Sequence, residues 1–290
     1  MDRKKIMALA RELALPEPVL GPLERAAERL PSDLPIEALA APDTAAAAWT
    51  AASARLPGWR EDGGMAQLAA ALAAACRTRM LCREAGVPEE VFSGTMGCFA
   101  RFLKETRELT GLWAFDRGFW TWRQTGGLLF RLGTLEFEYR RLEEGEQPPP
   151  GLNAGDGILS VHIPSDALLT REELDRSYDW AARIFTGEGG RFCPGGKPRA
   201  VLCGSWLLAP ALEELLPEGS GIRRFAGDYE RYAVREDDQE FYRWLFNCES
   251  PLPLPALPER TGLQRRAKTW LVSGGKIGMA KGVLRSFSFQ

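Results

Sequence analysis

The stretch GILSVHIPSDALLTREELDRSYDWAARIFTGEGGRFCPGGKPRAVLCGSWLL, residues 157–208, decides the fold of this chain. It opens on an apolar run, 157–164, which Pro164 ends as a strand. Thr170 and Glu173 then stand three apart, the spacing of a capping box, and predict a helix over 170–185. A glycine-rich loop leads to a second apolar run over 199–208. Strand, helix, strand in this order makes two parallel neighbours, because a crossover helix returns the chain to the same end of the sheet. The second run is odd in its middle. A core strand there carries a thiol, a residue without a side chain and a hydroxyl, Cys203, Gly204 and Ser205.

Upstream, FDRGFWTWRQTGGLLFRLGTLEFEYRRLEEG holds three aromatic-rich runs, separated by Gly126-Gly127 and by Gly133-Thr134. In the last run Leu135, Phe137 and Tyr139 alternate with Glu136, Glu138 and Arg140, the period of a half-exposed strand. An antiparallel meander is expected here, closed by the proline-rich loop 147–157. Downstream, the pattern predicts a short helix at 210–216, a strand over 222–235 and a helix over 238–247. A last helix at 261–271 and a glycine-rich tail complete the chain. The first 110 or so residues are rich in Ala, Leu, Arg and Glu and predict helices at 2–14, 21–30, 43–55, 65–85 and 88–109. The expected fold class is α+β: a helical domain over 1–125, then a mixed-sheet domain over 126–290.

Composition removes several classes of function. The net charge of −2 gives no electrostatic footprint for nucleic acid. The six cysteines form no C-x-x-C pair and His162 is the only histidine, which argues against a metal site of four clustered N/S ligands. Scattered cysteines fit a reducing compartment. The N-terminal segment reads as an amphipathic helix rather than a signal peptide, and the Ala/Leu run at 66–76 is too short to cross a bilayer. A cytoplasmic protein without membrane contact is expected.

His162 is the one side chain whose ordinary pKa lies near neutrality, so it is the default general base; the plainer reading is a hydrogen-bonded strand histidine. Ser205 and Cys203 are candidates for a nucleophile or a substrate contact. However, Cys203 and Leu207 stand where a G-x-S-x-G elbow needs glycine, and a buried cysteine is commonly just a small hydrophobe. Glu136, Glu138 and Tyr178 are further candidates for proton transfer. Lys276 and Lys281, among the glycines of SGGKIGMAKG (273–282), could cradle phosphate, although such glycines also serve a plain turn.

The motifs VHIP (161–164), GSWLLAPAL (204–212), GSGIRRF (220–225), LPERTGLQRRAK (257–268) and GGKIGMAKGVL (274–284) resemble a bacterial acyltransferase family. Its members have a helical N-terminal domain and a GNAT-like C-terminal domain. The resemblance covers essentially the whole chain. It implies transfer of an acyl group from acyl-CoA, or a carrier thioester, to a small-molecule acceptor, with acyl-CoA as co-substrate and no tightly bound cofactor. It also implies that the strands at 158–164 and 199–208 splay at their C-terminal ends to admit the pantetheine arm. Gly204 and Trp206 would then line that gap, with His162 and Ser205 in one cleft. One departure stands out: the segment PSDALLT (164–170) has no glycine to wrap a pyrophosphate. If acyl-CoA binds, its pyrophosphate is therefore expected at Lys276, Lys281, the backbone amides of 273–282 or arginines nearby. The alternative is a catalytically degenerate module that binds without chemistry.

Overall fold

The computed structural model describes residues 2–186, 192–248 and 251–287. Its contacts divide the chain into two compact units. The first comprises Met1–Leu132 with Gly187–Pro194, and the second Gly133–Thr186 with Gly195–Gln290.

The first unit is helical: α1 (Arg3–Glu12), α2 (Glu17–Glu28), α3 (Ile36–Leu39), α4 (Ala45–Ser53), α5 (Trp59–Asp62), α6 (Met65–Glu84), α7 (Glu89–Met96), α8 (Cys98–Thr110) and α9 (Gly118–Thr125). Helix α6 is its axis. Every residue from Leu68 to Ala75 is buried, and a helix apolar on all sides belongs in the interior. The small alanine side chains let α1, α2, α3 and α9 pack closely around it.

Two expectations change here. The single helix over 88–109 is two, broken at Gly97. The first aromatic run is not a strand but α9. Its buried residues are Gly118, Thr121, Gln124 and Thr125, at helical spacing, whereas Phe119 is exposed. Arg123 lies over the rings of Trp120 and Trp122, at 4.0 and 4.3 Å, which keeps them on an outer face. The aromatics suggested a strand, but the small polar residues set the period. A short strand, β1 (Leu129–Leu132), closes the unit, tied to α7 where Arg131 N–H donates to Thr95 Oγ1 at 2.9 Å.

The second unit holds β2 (Leu135–Arg141), β3 (Gly157–His162), α10 (Arg171–Thr186), β4 (Val201–Ser205), α11 (Leu212–Leu215), α12 (Gly221–Gly227), β5 (Tyr229–Arg235), α13 (Phe241–Phe246), α14 (Gly262–Val272) and β6 (Met279–Leu284). Its strands run in the order β2-β3-β4-β6-β5. β2 and β3 are antiparallel, β3 and β4 parallel, and β6 runs antiparallel to both β4 and β5. This is the mixed sheet the quoted stretch requires.

Helix α10 packs on one face of the sheet, with Tyr178 edge-on to Phe137 at 6.4 Å between centroids. The turn before β2 comes so close to α10 that a Cβ on Gly133 would lie 2.7 Å from Ser177 Oγ. That hydroxyl receives the N–H groups of Thr134 and Leu135 and donates to Glu173 O. Part of the expected strand over 222–235 is helix α12, because Ser220 Oγ accepts from Arg223 N–H and caps it; only Tyr229–Arg235 is strand. The last helix carries a full capping box, Thr261 with Gln264.

Candidate functional site

The register of the sheet sorts the candidate residues by face. Pairing between β3 and β4 consists of Leu159 with Val201, Ser160 with Leu202 and Val161 with Cys203. Side chains alternate, so Val161, Cys203 and Ser205 share the face that α10 covers. Ser160, His162, Leu202 and Gly204 share the other, together with Glu136, Glu138 and Lys281 through the neighbouring registers. His162 and Ser205 therefore belong to opposite faces.

Beyond Val161 and Cys203 the two parallel strands no longer pair. His162 continues alongside β2 opposite Glu136, while Gly204 and Ser205 continue alongside β6 opposite Lys281 and Ala280. The described ladder between β3 and β4 thus stops just short of their C-terminal ends. Gly204, just past its last pair, is exposed. A Cβ there would meet only Met279 Cε at 3.5 Å and Lys281 Cγ at 3.7 Å, which is ordinary contact. The missing side chain answers no packing demand.

Ser205 behaves as a cap. Its buried Oγ accepts from Leu207 N–H at 3.1 Å and starts a single 3-10 turn over Trp206–Leu208, which ends β4 earlier than the apolar run suggested. Ser205→Ala should cost about 1 kcal/mol of stability in urea denaturation. A loss of activity beyond what that allows would return the hydroxyl to the chemistry. Cys203 is sealed in the core, and burial pushes its thiol well above the usual range, away from the reactive thiolate. Half-buried Trp206 follows directly.

His162 Nε2 lies 2.8 Å from Glu138 Oε2. The imidazole is 27% exposed and the carboxylate 6%, so the ring reaches solvent while its partner does not. The alternation in β2 predicted a half-exposed Glu138. The structure buries it, and the cost of burying a carboxylate is met by the imidazole. The same face continues with Arg140, whose guanidinium grips Glu146 through two bonds at 2.8 and 2.7 Å. That grip holds the Glu146 carboxyl down at about 2. The loop after β2 folds over this end of the face, where Leu152 packs against Leu142, Ile158 and Leu202. Of the two tail lysines, exposed Lys276 is paired with Asp237 at 2.7 Å in the turn before β6, whereas Lys281 lies on β6 in the sheet.

Residues 129–284 match the family described as GNAT-like C-terminal domain, and residues 2–127 match the N-acyltransferase N-terminal domain. The chain belongs to the GNAT-like C-terminal domain family. Solved structures with the same fold include an acyltransferase in complex with decanoyl-CoA and teicoplanin, 24% identical over 96% of this chain and 87% of that one, with a TM-score of 0.72. Another is an acyltransferase in complex with decanoyl-CoA, 20% identical over 98% of this chain and 99% of that one, with a TM-score of 0.65. No curated protein matches the sequence. Among the described residues of this GNAT-like protein, no helix is long and apolar enough to cross a membrane, and no cluster of three or more metal-ligating side chains occurs.

Proposed function

We propose that this chain transfers the acyl group of an acyl-CoA to an amino group on a small-molecule acceptor, with His162 as general base. The observation that carries the reading is the His162–Glu138 pair, which stands where the β3–β4 ladder stops and where the family resemblance leads us to expect a gap for the pantetheine arm. Family membership supports the reaction class, and the solved acyltransferases that hold decanoyl-CoA support the donor.

The thioester would enter the gap beside Gly204, where there is no side chain to displace. The acceptor nitrogen attacks the thioester carbonyl carbon, the C–N bond forms, and the C–S bond breaks. With ionised Glu138 accepting from Nε2–H, the lone pair of His162 lies on Nδ1 and takes the proton leaving nitrogen. The buried carboxylate stabilises the imidazolium that results. That proton then neutralises the departing thiolate, so the sum is thioester plus amine giving amide plus CoA thiol. Cys203 and Ser205 have no part in this scheme; Gly204 and Trp206 line the entry.

One observation favours a catalytically degenerate module that binds some other ligand or a partner. Leu168 N–H in the glycine-free loop already donates to Thr134 Oγ1 at 2.6 Å, which leaves fewer backbone donors for a pyrophosphate. Thiol release from decanoyl-CoA in the presence of primary amines decides between the two readings. Turnover is expected, and binding of decanoyl-CoA without any release of thiol would reject the enzyme. Gly204→Val should abolish the release with its melting temperature in place, because valine suits an extended strand and its Cβ meets only ordinary contacts. A fully active Gly204→Val would move the thioester elsewhere.

A further inference from the structure

Lys281 is three-quarters buried, with a side-chain exposure of 24%. Its nearest partner is Glu146, at 3.6 Å, beyond hydrogen-bond length, and among the described residues its ammonium makes no hydrogen bond. Both Glu146 oxygens are already served by Arg140. A partly desolvated ammonium with three unused donors is costly unless something else receives them.

Gly204 pairs with Lys281, and one step past the last β3–β4 pair His162 stands level with Gly204. His162, Gly204 and Lys281 thus form one row across one face. The bare glycine lies between the backbones of His162 and Lys281, two strand spacings apart or about 10 Å in a regular sheet. Beside Lys281 the strand pairing is irregular. The β5–β6 register shifts between Arg231 and Ala233, which makes Tyr232 the extra residue of a bulge. A bulge re-aims a side chain. Burial and then Glu146 push the hydroxyl of the half-buried Tyr232 up to about 12, so it remains a donor. Among the described residues this hydroxyl also makes no hydrogen bond.

We infer that Lys281 and Tyr232 form an anion-reading corner of the acceptor site, and that the acceptor is an amine carrying a carboxylate, seated over Gly204 with its nitrogen at His162. This rests on the acyl-transfer reading above and adds the acceptor's class to it. A phosphate of the donor is the competing anion for the same lysine.

The test uses the full chain, decanoyl-CoA as donor, and amines supplied as matched pairs. These are α- and ω-amino acids against their own carboxamides, followed by thiol release. The parent protein should prefer the carboxylate member of a pair. Lys281→Met, which keeps the stem packed over Gly204, should shrink the carboxylate-to-carboxamide ratio of kcat/KM by about 10–100-fold, and Tyr232→Phe should shrink it by a smaller factor. The dissociation constant for decanoyl-CoA, measured by calorimetry, should not move in either variant. Two results with turnover intact overturn the inference: equal use of the two members by the parent, or an unchanged ratio in Lys281→Met. Weakened decanoyl-CoA binding in Lys281→Met would assign the ammonium to the donor's phosphates instead. If the parent does not bind decanoyl-CoA, or binds it and releases thiol with none of the amines, the failure lies in the acyl-transfer reading itself.

Discussion

Replacing His162 by alanine is expected to lower acyl transfer from decanoyl-CoA by about 10²–10⁴-fold, the usual worth of a positioned general base. The fold should survive with a lower melting temperature, because the ring is partly exposed but its loss takes a partner from the buried Glu138. Glu138 is the companion test. Glu138→Gln keeps a group of the same size but removes the charge that would stabilise the imidazolium. Its effect should fall on kcat, with the affinity for decanoyl-CoA unchanged. A histidine with a purely structural role predicts a different outcome: the melting temperature would fall in both variants, and turnover per folded molecule would stay constant. Steady-state kinetics with thermal melts on the same preparations separates the two outcomes.

The second large effect concerns acid. The Arg140 guanidinium holds Glu146 at about 2 against an ordinary 4.5, with burial opposing it and Lys281 adding a smaller pull in the same direction. A carboxyl whose folded value is depressed contributes stability that is fully present above its unfolded value and lost as pH falls through the folded one. The second unit should therefore weaken between about pH 5 and pH 2, by about 3 kcal/mol from this group alone. The side chain is only 16% exposed, so solvent screening removes little of that. Urea denaturation of the parent and of Glu146→Gln at a series of pH values measures the difference. The variant should start less stable at neutrality and lose less on acidification. Parallel curves would show that the Arg140–Glu146 pair stabilises nothing.

Much of this architecture is legible in the sequence because local chemistry and tertiary packing agree. The two runs flanking α10, with Thr170 at its start and Pro164 behind it, leave few topologies other than a parallel pair. The same agreement marks the alternating β2 and the Thr261–Gln264 box of α14. Where the reading missed, two signals competed. In 118–125 the aromatics looked like a strand, yet Thr121, Gln124 and Thr125 recur at helical spacing and are the residues inside. In 221–227 a serine cap outweighed the apolar content of the segment that follows.

The candidate site was half legible. His162 and Gly204 stand out by residue type alone, but which face a side chain occupies depends on register. Register places Ser205 opposite His162 and brings Lys281, from near the far end of the chain, level with it. Tyr232 had no signal of its own, since a bulge becomes visible only once the partner strand is known.

The division into units follows an unusual thread. Gly187–Pro194 belongs with the helices, although the chain on either side of it belongs with the sheet. Phe192 is 2% exposed and stands edge-on to Phe130 at 4.9 Å, while the ring also closes over Gly127. The polypeptide therefore visits the helical unit twice. Cutting the gene after Leu132 would not yield two autonomous modules: the upstream fragment would lack the phenylalanine that seals Phe130, and the downstream one would display it to solvent with nothing to cover it. For anyone dissecting this protein, swapping its halves between relatives or nicking it with a protease, the natural seam is not a point in the sequence. Any exchange has to carry a short piece from the middle of the second half along with the first.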